Sequence, residues 1–290
     1  MIISISRRCD IPRFAFGWFL EKLEAGFVDV KNPFNPRQIR RVSLLPPAPG
    51  RAPDESAEVF AFWTRDPASI AGHAEGLEQR GYRFYVMTTL TAYPRVLEPN
   101  VPAAEDVIQA MKNLAQKITA DRVIWRYDPI FLSDVTDFGF HCRNFAHLAA
   151  RLNGAVKRVI VSLYDEYSAA ERRLAALEQS GALKRMPHPA LGPAARELLA
   201  ELARIARAEG LEIQSCAEED VPDSGIPGGA CIDGDYISRQ FGLKAPGKDR
   251  NQGRPFCRCV KSVDIGAYGQ CPAGCVYCYG LRCSHTYSRS

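Results

Sequence analysis

Apolar residues recur in two rhythms along this chain. Short, nearly continuous runs rich in β-branched and aromatic residues alternate with longer stretches whose apolar positions return every third or fourth residue. The first rhythm predicts buried strands and the second predicts amphipathic helices. Strands are expected at "MIISIS" (1–6), "EVFAFWT" (58–64), "YRFYVMTTLT" (82–91), "DRVIWRYD" (121–128), "KRVIVSLY" (157–164) and "LEIQSCAE" (211–218). Helices are expected at 11–26, 68–81, 103–118, 137–154 and 192–210, the first with Pro12 near its start and Gly26 at its end. Strands separated by helices predict βαβ units and a parallel sheet. The alternation stops near Val221. The remaining segment is rich in Gly, Asp, Arg and Cys and reads as loop. Two parts are therefore expected, a β/α body over 1–220 and a cysteine-rich segment over 221–290.

Each apolar strand runs straight into polar or aromatic residues: Arg7, Arg8 and Asp10; Trp63, Thr64, Arg65 and Asp66; Thr88, Thr89 and Thr91; Arg126 and Asp128; Asp165 and Glu166; Cys216, Glu218 and Glu219. In barrels and open α/β sheets, sites form at the C-terminal ends of the strands. Any one such residue is ordinary loop polarity, but six together predict a shared polar mouth. Arg7, Asp10, Arg126, Asp128 and Glu218 are the candidate catalytic groups, and Trp63 and Thr89 are candidates for holding a cofactor. Arg126 and Asp128 lie two apart, on one face of their strand.

Composition narrows the class. Hydrophobic residues make up 46% and charged residues 24% of 290 residues, as in a globular protein. No apolar run approaches the roughly 20 residues that span a membrane, and the N-terminal apolar run is too short for a signal peptide. A cytoplasmic protein is expected. Thiols stay reduced there, so ten cysteines argue for metal or catalysis over disulfides. The net charge of +4 is modest.

The most telling stretch is "CPAGCVYCYG" (271–280). Cys271, Cys275 and Cys278 can converge on one small group, and thiolates favour zinc or iron–sulfur by their softness. Structural zinc sites close four positions, mostly with paired CxxC knuckles. Cys283 and His285 are candidates to close such a site. A [4Fe–4S] cluster on three cysteines with one iron open fits the three-then-two spacing better. The pattern C-x3-C-x-aromatic-C, with Tyr277 as the aromatic, resembles the cluster motif of the radical S-adenosylmethionine (SAM) enzymes. That resemblance implies an incomplete (β/α)6 TIM-type barrel, a cluster whose open iron chelates SAM, and an aromatic residue near the adenine. It also implies an electron donor such as a flavodoxin or ferredoxin. The position departs from the superfamily, whose motif usually follows the first strand.

"SRRCDIP", "NPFNP", "FWTRDP", "TLTAYP", "VIWRYDPI", "CAEED", "CIDG", "KDRNQ" and "CRCVKSVDIGAYGQCPAGCVYCYG" together resemble the bacterial family called domain of unknown function 1848. Its members carry a radical-SAM-like cysteine motif at the C-terminus. The resemblance implies that the tail folds back over the barrel mouth, and that Cys9 stands where family members have threonine and is not a ligand. A cover of this kind would be removable, leaving a soluble barrel.

Cys216, Cys231, Cys257 and Cys259 are candidates for a second site, an auxiliary iron–sulfur cluster or zinc. Cys142 reads as core. Lys244, Lys248, Arg250, Arg254, Arg258 and Lys261 crowd the approach to the triad, usually a solvated face. Only Phe256 interleaves them, so nucleic-acid binding there has little support. The five histidines show no metal-binding spacing, and no GxGxxG or Walker pattern is present. The expectation is a radical-SAM-like enzyme acting on an unnamed substrate. The alternatives are a binding protein stabilised by zinc or a closed cluster, and an iron–sulfur electron carrier.

Overall fold

The computed structural model describes residues 1–186, 192–218, 224–244, 246–249, 256–269 and 271–281. In chain order the elements are β1 (Ile2–Ile5), α1 (Ile11–Phe14), α2 (Phe16–Ala25), β2 (Phe27–Lys31), β3 (Ile39–Ser43), β4 (Val59–Thr64), α3 (Ala68–Gln79), β5 (Phe84–Thr89), α4 (Ala104–Ile118), β6 (Val123–Ile130) and α5 (Phe138–Leu152). They continue with β7 (Arg158–Leu163), α6 (Ser168–Gln179), α7 (Pro193–Ala208), β8 (Glu212–Cys216), β9 (Gly228–Gly229), α8 (Gly234–Phe241) and β10 (Val263–Asp264).

Among the described residues, eight strands form one all-parallel sheet in the order β10-β1-β4-β5-β6-β7-β8-β9. The six strands read from the sequence are its centre, in chain order. Both faces are covered, which is why their sequences are continuous apolar runs; β4 and β7 are buried at every position. Ile3, Ile5, Phe60, Phe62, Phe84, Val86, Trp125 and Val161 face the helices. Phe62 meets Phe19 and Phe84 edge-on at centroid distances of 5.6 and 5.8 Å. The alternate positions, Ile2, Val59, Ala61, Trp63, Tyr85, Met87, Ile124, Ile160 and Cys216, pack together on the other face. Those residues come from strands across the whole width of the sheet, so the sheet curls around them as a half-barrel.

The structure revises several local expectations. The first predicted helix is two, broken at Ala15, because Asp10 caps a separate single turn by accepting from Arg13 N. β6 runs two residues further than read. Pro129 cannot donate to the ladder, and the register slips between Tyr127 and Ile130. The antiparallel β2–β3 hairpin and the helices α6 and α8 were not foreseen. α6 buries only Ala170 and Leu174, so its apolar stripe is faint.

The tail is not all loop, and parts of it are built into the sheet and its packing. Its β9 and β10 pair with β8 and β1 at the two edges of the sheet. Its residues Ala230, Cys231, Ile232, Tyr236, Ile237, Cys257, Cys259 and Val260 fill the inner face of the curl. No helix among the described residues is long and apolar enough to cross a membrane.

Candidate functional site

The inner face of the sheet changes character along the strands. It is apolar at Ile2, Val59, Tyr85 and Ile124, and it opens at the C-terminal ends into a cavity of about 680 Å³. Of the strand-end candidates, Arg7, Asp10, Trp63, Thr89, Arg126 and Asp128 line this cavity. Glu218 is not among its lining residues; its carboxylate accepts from Leu163 N at 2.9 Å and ties β8's exit to β7. Glu219 lies outside the described residues.

The polar wall is heavily paired. Arg126 bonds Asp128, two residues on, and its guanidinium lies 4.6 Å over the Trp63 ring. Asp10 is buried and spans two elements, accepting from Arg13 N at 3.1 Å and Arg65 N at 2.8 Å. Burial pushes its carboxyl up to about 6. Arg7 Nε lies 3.6 Å from Asp264. Burial alone would lower the Arg7 guanidinium, but Asp264, Cys259, Tyr279 and Cys231 outweigh it and raise it. Trp63 Nε1 and Arg126 Nε are buried without a hydrogen-bond partner. Such orphans are rare, and these belong to two side chains that line the cavity.

Cys271, Cys275 and Cys278 all line this cavity. Their loop is held from three sides. The segment after β5 bonds it through Asn100 N to Ala273 O (3.3 Å) and Val276 N to Leu97 O (2.9 Å). α6 sends Arg173 to the carbonyls of Val276, Cys278 and Leu281. Tyr277 is buried. Its hydroxyl bonds Arg65 and Glu98, and its ring packs against Tyr93 and Phe131. In this structure Tyr277 anchors the loop. Gly280 is required because a Cβ there would stand 2.8 Å from Arg8 O. Burial raises the Cys271 thiol and pushes Cys275 up to about 12, with Arg65 working against the second shift.

The second set shares the cavity. Cys216, Cys231, Cys257 and Cys259 are buried and line its inner part. Cys216 and Cys231 share a hydrogen bond with sulfurs 2.9 Å apart. That bond, with help from Arg126 and Arg7, holds the Cys231 thiol below its usual range and, with burial, holds Cys216 well above its own. Ile232 N donates to Cys259 Sγ at 3.4 Å. Cys9 also lines the cavity, its thiol pushed up to about 11 by burial. Cys142 packs against the helix-side core.

Sequence reasoning passed over Asp264 and Glu98, and named Arg65 only as one of the strand-end polar residues. Asp264, on β10, accepts from Ser4 Oγ (2.8 Å), Ser6 Oγ (2.6 Å), Arg7 N (2.8 Å) and Gly266 N (3.0 Å). It pins the tail to β1. Arg65 and Glu98 form the buried pair that receives Tyr277 (2.7 Å). An Asp in "KSVDIG" and an Arg in "WTRDP" were visible, but only the fold shows what they meet. Of the basic run, Lys244, Lys248, Arg258 and Lys261 fall in described segments. Arg250, Arg254, Cys283 and His285 lie outside the described residues.

Among the described residues, no three His, Cys, Asp or Glu side chains are arranged to hold a single metal ion. An iron–sulfur cluster asks for another arrangement. Each thiolate binds a different iron, so the donors stand around a volume rather than a point. Cys271, Cys275 and Cys278 are three soft donors on one shared cavity.

The family model for the domain of unknown function (DUF1848) matches residues 2–280, and the chain belongs to that family. No curated protein matches the chain. Among solved structures, one match is to the tandem GH20 catalytic modules of the pneumococcal exo-β-D-N-acetylglucosaminidase StrH. Identity is 10% and the TM-score 0.27, over 76% of this chain and 56% of that one, a likeness too slight to carry any argument.

Proposed function

We propose that this DUF1848 protein is a radical-SAM-like iron–sulfur enzyme on an incomplete (β/α)6 TIM-type barrel. Cys271, Cys275 and Cys278 are the donors of a [4Fe–4S] cluster with one iron left for SAM. The observation that supports the reading is that all three thiols line the same cavity as the polar ends of the strands. When bound, the cluster supplies the electron, drawn from a flavodoxin- or ferredoxin-like donor, that cleaves SAM to methionine and a 5′-deoxyadenosyl radical.

The chain's own residues bind, orient and exclude water. Arg173, Asn100 and the Arg65–Glu98–Tyr277 group fix the loop, so the thiols need little ordering when loaded. Arg126, Asp128, Trp63 and Thr89 form the wall against which SAM and the substrate rest. Arg7 and Asp10 frame the side nearest the tail. Burial favours the protonated form of Cys271 and Cys275, so loading those two releases protons and weakens as pH falls. Cys216, Cys231, Cys257 and Cys259 are assigned to a second thiolate site, auxiliary iron–sulfur or zinc, deeper in the cavity.

Anaerobically purified protein should contain iron and acid-labile sulfide, and with reductant and SAM should release 5′-deoxyadenosine. Stoichiometric zinc without sulfide would instead make this a metal-stabilised binding protein. Iron and sulfide with no SAM cleavage would make it an electron carrier. Changing Cys271, Cys275 and Cys278 to alanine should leave metal at the second set. Loss of all metal from a folded triple variant would mean a single site.

A further inference from the structure

The mouth of the cavity carries a feature that the iron–sulfur reading does not use. The β2–β3 hairpin ends in "NPFNP", and Phe34 at its tip is 91% exposed. A single exposed ring needs no explanation. This one is held and placed. Asn32 Oδ1 accepts from Phe34 N at 2.9 Å, Asn32 N donates to Gln38 O at 2.9 Å, and Pro33 and Pro36 flank the ring. Pro33 and Phe34 line the cavity, as do Tyr167, Tyr268 and Tyr279. Tyr279 lies 5.2 Å from Tyr167 and 6.5 Å from Tyr268, and the Arg8 guanidinium stands 5.4 Å over Tyr268. The mouth is thus rimmed by rings.

The hairpin is also basic. It carries Lys31, Arg37, Arg40 and Arg41 and one acid, Asp29, to which Nε and one terminal nitrogen of Arg41 donate at 2.8 Å. Lys31, Arg37 and Arg40 are exposed, and no acidic side chain among the described residues pairs with them. Cations on a stiff arm attract an anion, and a presented ring selects one that carries flat faces. Charge alone would suit an acidic peptide, but the rings would then be idle.

We propose that this rim is a docking surface for single-stranded nucleic acid, with Phe34 stacking on a base and Arg37 and Arg40 holding the neighbouring phosphates. Alternating base stacking and phosphate contact is how sequence-tolerant single-strand sites are built. The site would bring a nucleotide to the entrance of the cavity. Binding itself requires no metal and stands apart from the iron–sulfur reading.

The test is fluorescence anisotropy of the full chain with labelled oligomers of about twelve nucleotides, one RNA and one DNA, across a salt series. Both should bind at low salt, and the tighter of the two identifies the source. Phe34→Ala should weaken binding by about tenfold with an unchanged salt slope. Arg37→Ala with Arg40→Ala should flatten the slope by about 1.4, near 0.7 per lost phosphate contact. These exposed side chains bury nothing, so melting temperatures should not move. No binding to either oligomer, or binding indifferent to Phe34→Ala, would overturn the proposal. Equal competition by polyglutamate would also overturn it and make the rim an acidic-peptide site.

Discussion

At the scale of single residues, the buried polar groups divide into those the fold has satisfied and those that stand around the cavity. His141 is the clearest of the first kind. Nδ1 accepts from Tyr127 OH at 2.9 Å and Nε2–H donates to Phe131 O at 3.1 Å, so the neutral ring is fully used. Burial brings its pKa from 6.5 down to about 4. A depressed histidine contributes stability that is complete above about pH 6.5 and is lost as pH falls towards 4. Asp10 acts in the opposite direction over nearly the same window, because its folded pKa is raised. The comparison must therefore be wild type against His141→Gln, which cancels the Asp10 effect. Their difference in unfolding free energy should shrink by about 3 kcal/mol between pH 7 and pH 4 in urea titrations. A constant difference would show that His141 is not held neutral.

At the scale of elements, the tail is stapled to the body by a two-residue strand. β10 gains few ladder bonds, so its hold depends on Asp264, a buried carboxylate with two hydroxyl and two backbone donors and Arg7 beside it. Removing it leaves those four donors without their acceptor and takes the carboxylate from beside Arg7. Asp264→Ala should cost about 3–5 kcal/mol, and limited proteolysis should then cut the tail before the body. Uniform digestion of both would contradict the staple. Gly266 belongs to the same device, since a Cβ there would stand 2.0 Å from Ser6 Oγ.

The strands were legible because both faces of the sheet are buried, which writes short apolar runs at 59–63 and 159–161 within β4 and β7. β9 and β10 were not, because two residues of Gly-Gly or Val-Asp carry no period. The β2–β3 hairpin was hidden because it buries little beyond Val28 and Val42. The cysteines announced themselves by spacing. Their place at the strand ends was expected only through the family resemblance, because it depends on how β8, β9 and β10 close the two edges of the sheet.

At the scale of the whole molecule, one cavity gathers residues from position 6 to position 279. The sheet supplies Trp63, Thr89 and Arg126, and the tail supplies the thiols. A motif at the far end of the chain thereby reaches strand ends that are distant from it in sequence. The most direct test is electron spin resonance of the anaerobically reduced protein, with and without SAM labelled at its amino nitrogen. The cluster reading predicts a signal that changes when SAM is added, that couples to the label, and that disappears when Cys271, Cys275 and Cys278 are replaced by alanine. A spectrum that ignores SAM, or one that persists unchanged in the triple variant, would contradict it.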